Sequence, residues 1–155
     1  MSDRVKGGLF NALGDIVGLT VFDPFAGSGA LSIEAVSRGA DSALAIDSDR
    51  KAAETIKQNC TELRLQNKIK VVQANVSSWS DDHADHKFDL VILDPPYDHL
   101  QVPLLTKLLA HVKQDTGIFV LSWPGKQTLP EFRHFGLIKS HSYGDAQLGF
   151  YRYAG

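Results

Sequence analysis

The sequence predicts an α/β fold: a doubly wound, mostly parallel, seven-stranded sheet ending in an antiparallel hairpin. Three observations predict it. Short apolar runs alternate with segments whose apolar residues recur at helical spacing, as strand–helix–strand units require. The run Leu90-Val91-Ile92-Leu93 is continuously apolar, which suits a strand covered on both faces of a parallel sheet. Two final strand-like runs, Leu137–Tyr143 and Gln147–Tyr153, flank Gly144-Asp145, a hairpin signal.

Asp3 or Ser2 can cap a first helix that carries Val5, Leu9, Phe10 and Leu13 and ends at Gly14. The first strand, Leu19–Asp23, runs into Pro24-Phe25-Ala26-Gly27-Ser28-Gly29, and Ala30 to Gly39 follows as a helix. Ala43–Asp47 is the second strand. Asp49 to about Leu65 is a helix with Ala52, Ala53, Ile56, Cys60 and Leu63 on one face. Ile69–Ala74 is the third strand and Phe88–Asp94 the fourth. A helix from about Leu100 to Val112 leads to the fifth, Gly117–Ser122, and the hairpin closes the chain.

With 155 residues, 43% apolar and 22% charged, residues 1–155 read as a single domain. No apolar run approaches the roughly 18 residues that span a bilayer, and no signal-peptide stretch follows Met1, so a cytoplasmic protein without membrane contact is expected. Cys60 is the only cysteine, which excludes an intrachain disulfide and assigns it to packing. The net charge of −2 lacks the basic excess of a self-sufficient nucleic-acid binder. His83 and His86 lie in a solvated loop rather than at a metal, and Trp123 caps the sheet.

In a doubly wound sheet, ligands bind beyond the carboxyl ends of the strands, near the point where strand order reverses. The candidate residues follow strands accordingly. Gly27 and Gly29 let the backbone approach a ligand at a helix start, with free N–H groups there. The turn lacks the G-x-G-x-x-G spacing of dinucleotide binding. Asp23 before it repels phosphate but can accept from an ammonium, directly or through water. This charge logic favours S-adenosylmethionine over NAD. Asp47, 20 residues past Gly27, is placed to accept from both ribose hydroxyls. The Asn75 amide oxygen and the Val76 N–H are placed for adenine. The expected cofactor set is Asp23, Phe25, Ala26, Gly27, Ser28, Gly29, Asp47, Ser48, Asn75 and Val76.

Asp94-Pro95-Pro96-Tyr97 follows the most apolar strand, and its two prolines end the ladder and stiffen the backbone. An exocyclic amine on a nucleobase is a poor nucleophile because its lone pair is delocalised into the ring. The Asp94 carboxylate and Pro95 carbonyl can accept its two hydrogens, and Tyr97 offers a face for a flipped base. Asp94, Pro95, Pro96 and Tyr97 are therefore the expected catalytic group.

The order D-P-F-A-G-S-G-A, A-I-D, Q-A-N-V and F-D-L-V-I-L-D-P-P-Y resembles the class I, Rossmann-like methyltransferases in their amino-methylating branch, over nearly the whole chain. Asp3-Arg4-Val5 with Leu9-Phe10-Asn11, Ile33-Glu34-Ala35, Ser37-Arg38-Gly39-Ala40 and Tyr143-Gly144-Asp145 is similar to the bacterial 16S rRNA guanine-N2 methyltransferase (RsmD-like) family. The resemblance implies S-adenosylmethionine-dependent methylation of one guanine amino group, without a metal, during small-subunit assembly. It also implies 16S rRNA or the small-subunit assembly particle as partner, and a monomer. Family members carry some tens of residues before the Asp-Arg-Val segment, including a basic piece that meets RNA, whereas this chain begins almost at that segment. Alternatives are a DNA adenine-N6 or cytosine-N4 methyltransferase, a protein glutamine-amide methyltransferase, and a non-catalytic domain that only binds the cofactor.

Overall fold

The computed structural model describes residues 1–155. In chain order the elements are α1 (Asp3–Leu13), β1 (Thr20–Asp23), α2 (Ala30–Ser37), β2 (Ser42–Asp47), α3 (Arg50–Glu62), β3 (Ile69–Gln73), α4 (Val76–Asp82), β4 (Leu90–Leu93), α5 (Val102–Leu108), β5 (Ile118–Pro124), β6 (Phe135–Tyr143) and β7 (Ala146–Tyr153). The seven strands form one sheet in the order β3-β2-β1-β4-β5-β7-β6. The first five are parallel; β7 pairs antiparallel with β5 and β6, and a register shift between Leu137 and Lys139 marks a bulge in β6.

Local chemistry sets the ends of the helices. The Ser2 side chain caps α1 by accepting from Val5 N–H at 3.2 Å, and Gly14 stops the helix with φ of 73°. Asp49 caps α3 by accepting from Ala52 N–H. Gly29 opens α2 at φ of 80°, and a Cβ there would lie 2.7 Å from Ile56 Cγ2, so only glycine lets α2 and α3 meet at the turn.

Alternate residues of the central strands face two separate cores. One joins Val21, Ala45, Ile92 and Val120 to Leu9 and Phe10 of α1, Ala35 of α2, and Ile56 and Cys60 of α3. The other joins Phe22, Ile46, Val91, Leu93, Phe119 and Leu121 to Trp79 of α4 and Leu105 and Leu108 of α5. All four residues of β4 are buried, as its unbroken apolar run requires.

Several boundaries differ from the sequence reading. Helix α4 was not expected there: Val-Ser-Ser-Trp-Ser-Asp-Asp has one large apolar residue and hence no helical period. Its signal was Asn75, whose Oδ1 accepts from Ser78 N–H at 3.0 Å. That cap also ends β3 at Gln73 rather than Ala74. Phe88 forms only an isolated bridge to Val112, because Asp89 turns aside to accept from Thr20 N–H and Oγ1 and to pair with Lys113. The expected helix of residues 100–112 closes as α5 and a 3-10 turn, Leu109–His111. Trp123 belongs to β5, which extends through Pro124; it is buried, and its indole N–H donates to Thr128 O at 3.1 Å.

Candidate active site

The strand order reverses between β1 and β4, so the crevice opens above their carboxyl ends. Three carboxylates arrive there, Asp23 from β1, Asp47 from β2 and Asp94 just after β4. The structure separates their roles by burial.

Asp47 is fixed by two backbone donors: Gly27 N–H to Oδ2 and Asp49 N–H to Oδ1, each at 2.9 Å. The carboxylate thus ties the glycine turn to the start of α3 and keeps unused lone pairs. The free N–H groups expected in the turn are largely consumed. Ala26 N–H donates to Ile46 O, Gly27 N–H to Asp47 and Gly29 N–H to Ala26 O. The reason is geometric, since the positive φ of Gly27 and Gly29 folds the turn back onto β2 and onto itself.

Asp23 differs most from expectation. It is fully enclosed, its Oδ2 accepts from Ser32 Oγ at 2.7 Å, and its Oδ1 has no partner. Direct contact with an exposed ligand group is therefore not available in this conformation. Burial pushes its carboxyl up to about 7, the Ser32 hydrogen bond opposes this, and the charges of Asp94 and Asp47 add to the rise.

Asp94 is pushed above the ordinary carboxylate range by burial, and the amino terminus, 3.7 Å from Oδ2, and the Ser122 hydroxyl moderate the effect. Tyr97 is held by its hydroxyl, which lies 2.6 Å from Ser122 Oγ and donates to Trp123 O at 3.1 Å. Its side chain remains 39% exposed, which leaves ring surface for a partner.

Two cavities meet at this point. One, of about 500 Å³, is lined by Phe25, Gly27, Asp47, Ser48, Asn75 and Val76, together with Asp94 and Pro96. Ala26 and Ser28 line a smaller adjoining space with Gly27 and Asp94. The other large cavity, of about 540 Å³, is lined by Asp94, Pro95, Pro96 and Tyr97, by Val5 of α1, by Ser122 of β5, and by Tyr143 and Asp145 of the hairpin. Asp94 and Pro96 are therefore a wall common to both. Gly29 lines neither and serves the α2–α3 approach. Sequence reading gave Ser122 and Asp145 no role, because strand pairing across β4-β5-β7 brings them in; Asp145's position in a hairpin turn was the available signal.

The remaining candidates lie elsewhere. His83 stacks on Trp79 with centroids 4.5 Å apart, and its Nδ1 lies 2.8 Å from Trp79 O. Cys60 is buried in the core.

Comparison with known proteins agrees with this architecture. A protein of Bacillus subtilis named "Putative rRNA methyltransferase YlbH" is 31% identical over 162 residues, covering 99% of this chain and 87% of that protein. The Escherichia coli K12 protein named ribosomal RNA small subunit methyltransferase D is 39% identical over 98 residues, 62% of this chain and 48% of that protein, so this match spans about half the relative's length. A solved structure of a conserved hypothetical protein from Streptococcus pyogenes superposes with a TM-score of 0.84 at 32% identity, covering 94% of this chain and 93% of that one. The family model described as "Conserved hypothetical protein 95" matches residues 1–152, and the chain accordingly belongs to this family of RsmD-like methyltransferases.

Proposed function

We propose that the chain transfers a methyl group from S-adenosylmethionine to the N2 amino group of a guanine in 16S ribosomal RNA, free or within the assembling small subunit. The observation that carries this reading is the shared wall: Asp94 and Pro96 face a cavity on the cofactor side and a second cavity on the Tyr97 side. The names of the relatives support ribosomal RNA as the substrate class.

The residues fit the cofactor electrostatically. Asp47 and Asp94 line the cavity with carboxylates, which suits a ligand carrying a sulfonium and an ammonium and opposes a pyrophosphate. The unpartnered Asp23 Oδ1 is an acceptor for a donor delivered through water or a shift of the turn. Asp47 accepts from the ribose hydroxyls with its unused lone pairs. The Val76 N–H, in the first turn of α4 where no helix carbonyl can accept it, donates to adenine. The Asn75 amide oxygen caps α4 with one lone pair and keeps a second to accept from the adenine amino group.

When bound, the cofactor supplies an electrophilic methyl group. The Asp94 carboxylate and Pro95 carbonyl accept the two amino hydrogens of the base and hold the nitrogen lone pair out of the ring plane. Tyr97, anchored through Ser122, stacks on the ring. As the N–C bond forms and the S–C bond breaks, the nitrogen must lose a proton. The burial-raised Asp94 carboxyl is suited to take it.

The test is transfer of labelled methyl from S-adenosylmethionine to small-subunit particles and to naked 16S RNA, with duplex DNA and protein as parallel substrates. N2-methylguanine in the RNA digest is the expected product, and Asp94→Asn should lower its rate more than about 100-fold. Methylation of DNA or protein instead, or an Asp94→Asn enzyme of normal rate, would refute the reading.

A further inference from the structure

We propose that Asp145 selects guanine, its carboxylate accepting the N1–H of the base whose amino group Asp94 and the Pro95 carbonyl hold. The inference rests on the reading of the second cavity as a base pocket and goes beyond it by naming what discriminates between bases.

The hairpin turn Gly144-Asp145 is fixed from two sides. On the sheet side, Gly125 N–H donates to Asp145 O at 2.8 Å, and a Cβ on Gly125 would lie 2.0 Å from Gly144 O. Gln147 Nε2 also donates to Pro124 O at 2.9 Å. On the helix side, Tyr143 lies against Gly8, where a Cβ would sit 2.0 Å from its hydroxyl, and the Arg4 guanidinium stands 5.6 Å from its ring centre. Glycine on each side thus permits a backbone approach that holds the turn at the mouth of the cavity. The Asp145 side chain takes no part in this anchoring: it is exposed, lines the cavity and makes no ion pair with any basic group of the chain.

Only β5 separates β4 from β7, so the turns after β4 and before β7 stand about 10 Å apart, a gap across which the Asp94 and Asp145 side chains can converge on one edge of a base. The cavity is lined by the Asp94 and Asp145 carboxylates and by Pro95, with no lysine, arginine or histidine; its cation, the Met1 amino group, stands 3.7 Å from Asp94 and makes no ion pair with Asp145. Guanine presents adjacent donors, N1–H and the N2 amino group, to such a lining. Adenine and cytosine place a ring acceptor beside their amino group, and that acceptor would face the Asp145 carboxylate at a cost.

The test uses guanosine 5′-monophosphate and 2,6-diaminopurine riboside 5′-monophosphate, added to the full chain saturated with S-adenosylhomocysteine and followed by amide NMR. The second nucleotide keeps the N2 amino group but has an acceptor at N1. Wild type should prefer the guanine nucleotide by about tenfold or more, with shifts at Asp94, Tyr97 and Asp145. Asp145→Asn, whose amide can accept from N1–H or donate to an N1 acceptor, should erase the preference, and so should Asp145→Ala. S-adenosylhomocysteine affinity should stay within a few fold in both variants, which reports an intact fold. A wild-type preference retained by Asp145→Asn, with shifts still at Asp94 and Tyr97, overturns the assignment of Asp145 alone. Failure of either nucleotide to shift Asp94 and Tyr97 in wild type overturns the base-pocket reading and this inference with it.

Discussion

Replacing Asp23 by Asn should change how stability depends on pH, with a sign that follows from burial. Asp23 is fully enclosed and its carboxyl is raised from 3.8 to about 7, chiefly by desolvation. Between those values the folded state holds a proton that the unfolded chain has released, so stability falls as pH rises. For a single site with these two values, the penalty is about 1.7 kcal/mol at pH 5 and about 4.3 kcal/mol at pH 8. The neutral amide keeps an acceptor for Ser32 Oγ and carries no such penalty, although its buried NH₂ costs about 1–3 kcal/mol at every pH. The difference in unfolding free energy, variant minus wild type, should therefore rise by about 2.6 kcal/mol from pH 5 to pH 8. Urea unfolding of both proteins at the two pH values, without cofactor, measures it. A difference that is the same at both pH values would show that Asp23 is ionised in the fold across this range and would refute the desolvation argument.

Asp47→Ala removes both proposed ribose acceptors and the bond that ties Gly27 to β2, so S-adenosylmethionine affinity measured by calorimetry should fall about 10- to 100-fold. Tyr97→Phe keeps the ring but frees it from Ser122 and Trp123. Methyl transfer should slow about tenfold while cofactor affinity stays within a few fold. Gly125→Ala forces the hairpin turn away from the end of β5, because its Cβ would meet the Gly144 carbonyl. It should reduce methyl transfer to RNA far more than cofactor binding, as single-turnover assays and calorimetry would show.

Much of the site was legible because its residues follow strands directly. Asp47 and Asp94 were placed by counting from apolar runs, and the sheet puts both in the crevice as a doubly wound order demands. Asp23 was legible as a position and not as an environment. That it turns inward to Ser32, nine positions along the chain, depends on the intervening turn and helix start, whose packing no local pattern records. Asn75 was read from the sequence as a ligand, and its cap bond became visible only with α4, which has too little apolar content to show a period.

The sequence by itself determined the alternation of strands and helices, the buried character of β4 and the polarity of the hairpin, because these depend on neighbours a few residues apart. Strand order decided the rest. Placing β4 beside β1, and β7 rather than β6 beside β5, brings Asp94, Ser122 and Asp145 from three distant stretches of chain to one cavity. That juxtaposition is a consequence of which apolar faces bury one another across the whole sheet, a competition among long-range pairings that sequence periodicity does not encode.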